Sequence, residues 1–318
     1  MVLDDAWQRR QTDLMPQSPD RILTGILLMI GFTVTAPVMD SFAKMAAATI
    51  PVGQIVAARF LVQVAVLLPA AAILGCLSRP TLPEAGLHLA RAMLILMATG
   101  AFFTALGTLP LADAIAIFFV EPFILTLLGA IFLGESVGWR RVLACIAGFA
   151  GAMLVIRPSF SAFGTVALLP LVTALCFALY VVLTRQVAQR LHPVALQAWT
   201  ALAACLVIVP LLAGASGSGI TPLDPVWPSG VAWVWLAGVG LAATVAHLFI
   251  SAALRLAPTA VIAPLQYLEI VAAAVLGWLV FDDLPDPQAL AGIAIIIGAG
   301  LYVFVRERHL SRLPPPPP

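Results

Sequence analysis

The chain has 318 residues, of which 62% are hydrophobic and only 10% charged, with a mean hydropathy of +1.07 and a net charge of +1. A soluble domain carries about 25% charged residues, so this chain cannot cover its own apolar interior in water. The near-neutral balance, with no basic patch, excludes nucleic acid as a partner and leaves a polytopic membrane protein whose surroundings are the lipid bilayer.

Residues 1–21 are polar and mixed in charge, unlike the basic start and apolar core of a signal peptide, and read as a cytoplasmic tail. A helix needs about 20 mostly apolar residues to cross the hydrocarbon core. On that rule spans are predicted over 22–41, 52–74, 88–108, 112–133 and 140–157, and again over 162–184, 195–213, 230–251, 259–281 and 288–305. The runs lack two-residue alternation and are too long for barrel strands. The expected fold class is therefore an all-α membrane bundle of ten helices, with a first half over 22–157 and a second over 158–306. Residues 307–318 end in a proline run, an extended tail.

The few polar groups inside these runs are the informative ones. Span one carries Asp40 and Lys44 four residues apart, the spacing of a helix-surface ion pair. Span two carries Arg59, span four Glu121 within FFVEP, span eight His247 and span nine Glu269 within QYLEI. Glu121 and Glu269 lie about ten residues deep, roughly 15 Å at 1.5 Å per residue. A charge near the bilayer centre costs about 2.5–3.5 kcal/mol on insertion scales, so it normally faces a cavity or a partner. Pro122 removes one helical hydrogen bond and frees the carbonyl of Phe118. Phe118, Phe119, Tyr180, Trp199 and Tyr267 are candidates for a stacking wall, and Trp227, Trp233 and Trp235 suit an interfacial belt. The acidic run Asp282, Asp283 and Asp286 reads as a solvated turn. A buried Arg59–glutamate lock and a packing role for His247 are the structural alternatives.

Four cysteines, Cys76, Cys145, Cys176 and Cys205, show no metal or disulfide spacing, and no cofactor is expected. GESVG at 134–138 matches a nucleophile elbow only formally, because that motif needs a strand–turn–helix setting. No phosphate-binding loop of the GxxxxGK[ST] type occurs, so ATP-driven pumping by this chain is excluded. Small residues in AGFAGA (147–152) and GIAIIIGAG (292–300) allow close helix contact, suiting spans five and ten as a supporting face or a homodimer face.

The halves repeat. Starting at Ala105 and Ala253 and reading without gaps, Pro110 falls on Pro258, Glu121 on Glu269, Gly129 on Gly277 and Glu135 on Asp283. Where the first half has Glu121–Pro122, the second has Glu269–Ile270, so a kink there must come from Pro264. Five spans per half make the second enter from the opposite side, the inverted repeat found in secondary transporters. With both termini inside, thirteen of the sixteen Lys and Arg, Arg91 among them, fall in cytoplasmic segments, against Lys44 and Arg157 outside.

The stretches AARFLVQ around Arg59, TLPLADAIAIFFVEPFILTLLGAIFLGE and LAPTAVIAPLQYLEIVAAAVLGWLVFDDLPD resemble the drug/metabolite transporter superfamily in its ten-helix EamA-type branch. Within it, APLQYLEIVAAAVLGWLVFDDLPD looks most like bacterial S-adenosylmethionine- and riboflavin-uptake carriers. The resemblance implies two five-helix repeats around a central cavity and alternating access without ATP. The expectation is a bacterial inner-membrane secondary transporter for a small polar metabolite, with Glu121 and Glu269 lining the pathway. Each would either carry a coupling proton or pair with a cationic group. Export of amino acids or drugs is the alternative.

Overall fold

The computed structural model describes residues 19–133, 139–188, 191–257 and 263–310. Among these, the first half supplies α1 (Pro19–Ala47), α2 (Val52–Ile73), α3 (Leu82–Leu106), α4 (Leu111–Phe118), α5 (Glu121–Leu133) and α6 (Trp139–Phe163). The second supplies α7 (Leu169–Ala188), α8 (Pro193–Ala215), α9 (Ala232–Leu256), α10 (Leu268–Phe281) and α11 (Pro287–Leu310). Short 3₁₀ turns cover Gly164–Leu168 and Ala263–Tyr267, and no strand occurs among the described residues. Among the described residues six stretches are long and apolar enough to cross a membrane. The all-helical membrane fold is as the composition requires.

Local sequence sets the helix limits. Helix α3 begins six residues before the expected start because the Glu84 carboxylate accepts from both the Thr81 amide and hydroxyl, at 2.8 Å each. That contact organises the first turn, and Pro83 lies in it where no amide donor is needed. The fourth span, expected as one helix over 112–133, is divided. Helix α4 has 8 residues and α5 has 13, each too short for about 30 Å of hydrocarbon but long enough in series. The break falls at Phe119–Val120, just before Pro122, whose ring lacks the donor and crowds the preceding turn. The corresponding break in the other half is the 3₁₀ turn Ala263–Tyr267, which contains Pro264.

Small residues let the helices close up. A Cβ on Gly25 would meet Ala257 at 2.6 Å, one on Gly31 would meet Phe249 at 2.8 Å, and one on Gly238 would meet Phe42 at 2.7 Å. These three contacts run in opposite order along α1 and α9, so the pair is antiparallel over its length and packs extensively. Helices α6 and α11 meet backbone to backbone at Gly151 and Gly292, where a Cβ on Gly151 would lie 2.9 Å from the Gly292 carbonyl. The small residues of AGFAGA and GIAIIIGAG thus join these two helices to each other. Helix α7 packs on α3 and α5, while α1 packs on α9 and α10, and α2 packs on α8.

One end of the bundle carries the α1–α2, α3–α4 and α10–α11 connections. There Asp282, at φ 55°, ends α10 in a left-handed residue, and the Asp283 amide donates to the Gly277 carbonyl at 3.0 Å. The turn brings the Asp283 carboxylate to 2.6 Å from Lys44 Nζ, which also donates to the Leu109 carbonyl at 3.0 Å. At the other end the Trp199 indole donates to the Ser78 carbonyl at 3.1 Å.

Candidate functional site

Between these ends the breaks in α4–α5 and before α10 face a shared cavity of about 740 Å³, open mouth included. Helix α1 lines it with Phe32, Met39 and Asp40, α3 with Thr99 and Phe102, and α7 with Thr173 and Phe177. Glu121 is the first residue of α5 and Glu269 the second of α10, so each carboxylate lies in the opening turn of a half-helix. Free amides and the positive end of the helix dipole favour a carboxylate in that position. Broken helices thus place each acid at the positive end of a short helix inside an apolar bundle.

Polar groups converge on the cavity from several helices. Arg59 donates through one terminal nitrogen to Thr99 Oγ1, and its other terminal nitrogen lies 2.5 Å from His247 Nε2. Its Nε is buried without a hydrogen-bond partner, as is Oδ1 of Asp40. Asp40, Arg59, Glu121, His247 and Glu269 are all buried and all line the cavity. Ionised, three carboxylates exceed the one guanidinium by two charges, which protons or a cationic ligand group would neutralise. One wall is aromatic: Phe118 meets Phe102, Phe119 and Phe177 edge-on, at centroid distances of 6.0, 5.7 and 5.6 Å. Such a wall accepts a planar apolar group, while the carboxylates face its charge.

Of the residues singled out from the sequence, Glu121, Glu269, Arg59, His247 and Phe118 come together here. Pro122 stands one residue behind Glu121, outside the lining. Tyr267 packs behind the wall, 5.3 Å from Phe119 and against Gly300. Trp199 does not reach the cavity; its indole is engaged by the α2–α3 connection. The Asp40–Lys44 pair is a correction: Lys44 turns to Asp283 and Leu109, leaving Asp40 to the cavity. Asp283 is accordingly half of an ion pair rather than part of a solvated turn. Sequence reasoning missed Asp40 as a cavity group because spacing four made a local partner attractive. Its place within an apolar run was the signal available. GESVG lies outside the described residues.

Arg91 is the second correction. It was assigned to a cytoplasmic segment, yet it is fully buried in α3. Its Nε and two terminal nitrogens donate to Thr184 Oγ1 at 3.1 Å, Thr200 Oγ1 at 2.6 Å and Tyr180 Oη at 3.0 Å. Tyr180, expected at the stacking wall, belongs to this cluster, with its ring 4.9 Å from the Arg91 guanidinium carbon. Phe177 stacks on Tyr180 at 5.8 Å and links the cluster to the cavity. A charged residue near a helix start looks solvated in sequence; only the packing of α7 and α8 over α3 buries it.

The sequence profile described as the EamA-like transporter family matches residues 23–157 and again 164–305. A riboflavin transporter of Rhizobium johnstonii is 30% identical over 230 residues, covering 71% of this chain and 72% of that protein. The pseudopaline exporter of Pseudomonas aeruginosa is 28% identical over 285 residues, covering 88% and 95%. An S-adenosylmethionine uptake transporter of Rickettsia felis is 24% identical over 221 residues, covering 70% and 72%. A solved crystal structure superposes with a TM-score of 0.64 at 19% identity, over 92% of this chain and 98% of the other, a likeness of fold alone.

Proposed function

Because the chain belongs to the EamA-like transporter family, and so is a multi-pass membrane transporter rather than an enzyme, we propose that it carries a small polar metabolite with a planar ring by alternating access. The observation that carries this reading is the central cavity, where Asp40, Glu121 and Glu269 oppose Arg59 beside an aromatic wall. Riboflavin- and S-adenosylmethionine-like solutes are the preferred class, since transporters named for both are similar to this chain.

The two halves, 22–157 and 158–306, act as inverted repeats. The contact pattern supports this: exchanging α1 with α7, α3 with α9 and α5 with α10 turns the α1–α9 and α1–α10 contacts into α7–α3 and α7–α5, both present. The bundle lies in a bacterial inner membrane with both termini in the cytoplasm. Relocating Arg91 into the bundle leaves twelve Lys and Arg on that side against two, a bias that favours this orientation.

Proteoliposomes test the class directly. Uptake of S-adenosylmethionine, riboflavin and amino acids is measured in competition, with and without an imposed proton gradient. Saturable, cross-competed uptake of the first two is expected; flux without saturation would make the protein a channel. Outward transport is the second reading, favoured by the pseudopaline exporter's coverage of 88% of this chain. It predicts efflux from preloaded vesicles at a rate above uptake.

A further inference from the structure

The cluster around Arg91 has no place in the central cavity, and we propose that it is a second subsite, one that takes the carboxylate of a zwitterionic metabolite. The proposal rests on the transport reading above and narrows its substrate class. Arg91 is fully buried, yet its three acceptors, Thr184, Thr200 and Tyr180, are all neutral hydroxyls. The partners of this guanidinium among the described residues are thus hydroxyls, and none is a carboxylate. A buried cation without a counter-ion keeps a desolvation penalty that neutral acceptors reduce but do not remove. An incoming anion removes it.

The surroundings are built for exchange. Each threonine hydroxyl accepts from Arg91 while its own proton is engaged elsewhere: Thr184 donates to the Tyr180 carbonyl at 2.6 Å, and Thr200 to the Leu196 carbonyl at 2.9 Å. Tyr180 also meets Gln197, whose amide reaches Ser251 at 2.9 Å. Displacing a hydroxyl from Arg91 therefore leaves it hydrogen-bonded. One turn away on α3, His88 is buried with Nδ1 lacking a hydrogen-bond partner. A single fixed positive charge beside neutral donors suits a monoanion such as a carboxylate better than a dianionic phosphate.

Position links the two sites. Arg91 and Thr99, which touches Arg59, are eight residues apart on α3, about 12 Å along the axis. Phe177 lines the cavity and stacks on Tyr180, and Tyr180 meets His247 edge-on at 6.5 Å. An elongated zwitterion with its planar, cationic part among the cavity aromatics and acids extends its carboxylate toward Arg91 when Tyr180 moves aside. The two charges of the substrate thus meet opposite charges at successive depths.

The test uses the full chain in proteoliposomes with S-adenosylmethionine, its decarboxylated analogue, and riboflavin. The quantity read is the ratio of uptake between the first two probes, which differ only in the carboxylate. The wild type should favour the carboxylated probe by about tenfold or more, the scale of one charge-assisted hydrogen bond. Arg91→Gln should collapse that ratio toward one, and Arg91→Lys should retain part of it. Should Arg91→Gln fail to fold, Tyr180→Phe carries the test: removing one competing hydroxyl should raise the ratio. A wild-type ratio near one overturns the proposal. So does a ratio unchanged in Arg91→Gln, or in Tyr180→Phe where that variant stands in, whatever the absolute rates. Uptake of riboflavin alone overturns the zwitterion class but leaves the transport reading standing. Uptake of none of the three removes that reading and this proposal with it.

Discussion

Glu121 and Glu269 are the residues whose chemistry the bundle works hardest to accommodate, each buried in the first turn of a half-helix that opens on the cavity. Glu→Gln keeps their size and removes their charge. Either variant should fold and insert normally, yet lose about tenfold or more of substrate-driven uptake, the scale of a lost charge-assisted interaction. Glu121→Gln should show the larger loss, because Glu121 stands beside the helix-breaking Pro122 where the fourth span divides. If one carboxylate carries the coupling proton, its glutamine variant keeps substrate exchange but no longer responds to a pH gradient. Normal uptake by both variants would refute the assignment; lost expression rescued by Arg59→Gln would reduce these charges to a helix lock. The two glutamates, Arg59 and His247 were legible in the sequence because a charge in an apolar run has few places to go. Asp40 and Arg91 were not. Each had a plausible local or solvated explanation, and only tertiary packing decided against it.

At the scale of elements, the all-helical, apolar character of the chain followed from hydropathy, but the contacts that order the helices did not. Which glycine meets which neighbour depends on pairings far apart in sequence, such as Gly238 of α9 against Phe42 of α1. Lipid tails are as apolar as the side chains, so close packing rather than water exclusion holds such pairs. Gly238→Leu should therefore act as overpacking and destabilise by about 1–3 kcal/mol, seen as a lower melting temperature of the purified protein. Gly298→Leu, where a Cβ meets nothing within 4 Å, is the control and should change little. Equal effects of the two would mean that the α1–α9 contact is not what sets stability. The breaks in α4–α5 and before α10 were half legible: proline marked the place, but whether the chain kinks or stops depends on the cavity beside it.

For the molecule as a whole, the proposed alternating access requires the α1–α2 end to open, and Lys44–Asp283 ties α1 of one half to the α10–α11 turn of the other. The pair is only partly buried, so its strength is at most about 1 kcal/mol, or roughly a fivefold shift between open and closed populations. In a cysteine-free background, Met39→Cys places a thiol on the cavity lining of α1. Adding Lys44→Ala should raise its labelling by an impermeant thiol reagent up to about fivefold; an unchanged rate would show that the bridge does not gate this end. Orientation follows from the same background. Ser229 and Leu284 are exposed and sit in the α8–α9 and α10–α11 connections, at the end proposed to face outward. Cysteines at these two positions should react with the impermeant reagent added to intact cells, whereas one at Ser136 should react only after permeabilisation. Both halves of this pattern are needed. Charge bias alone fixes which side a loop faces, while the number of crossings between Ser136 and Leu284 fixes that they face opposite sides. Labelling of Ser136 from outside would overturn the crossing count, and protection of all three from outside would invert the bundle.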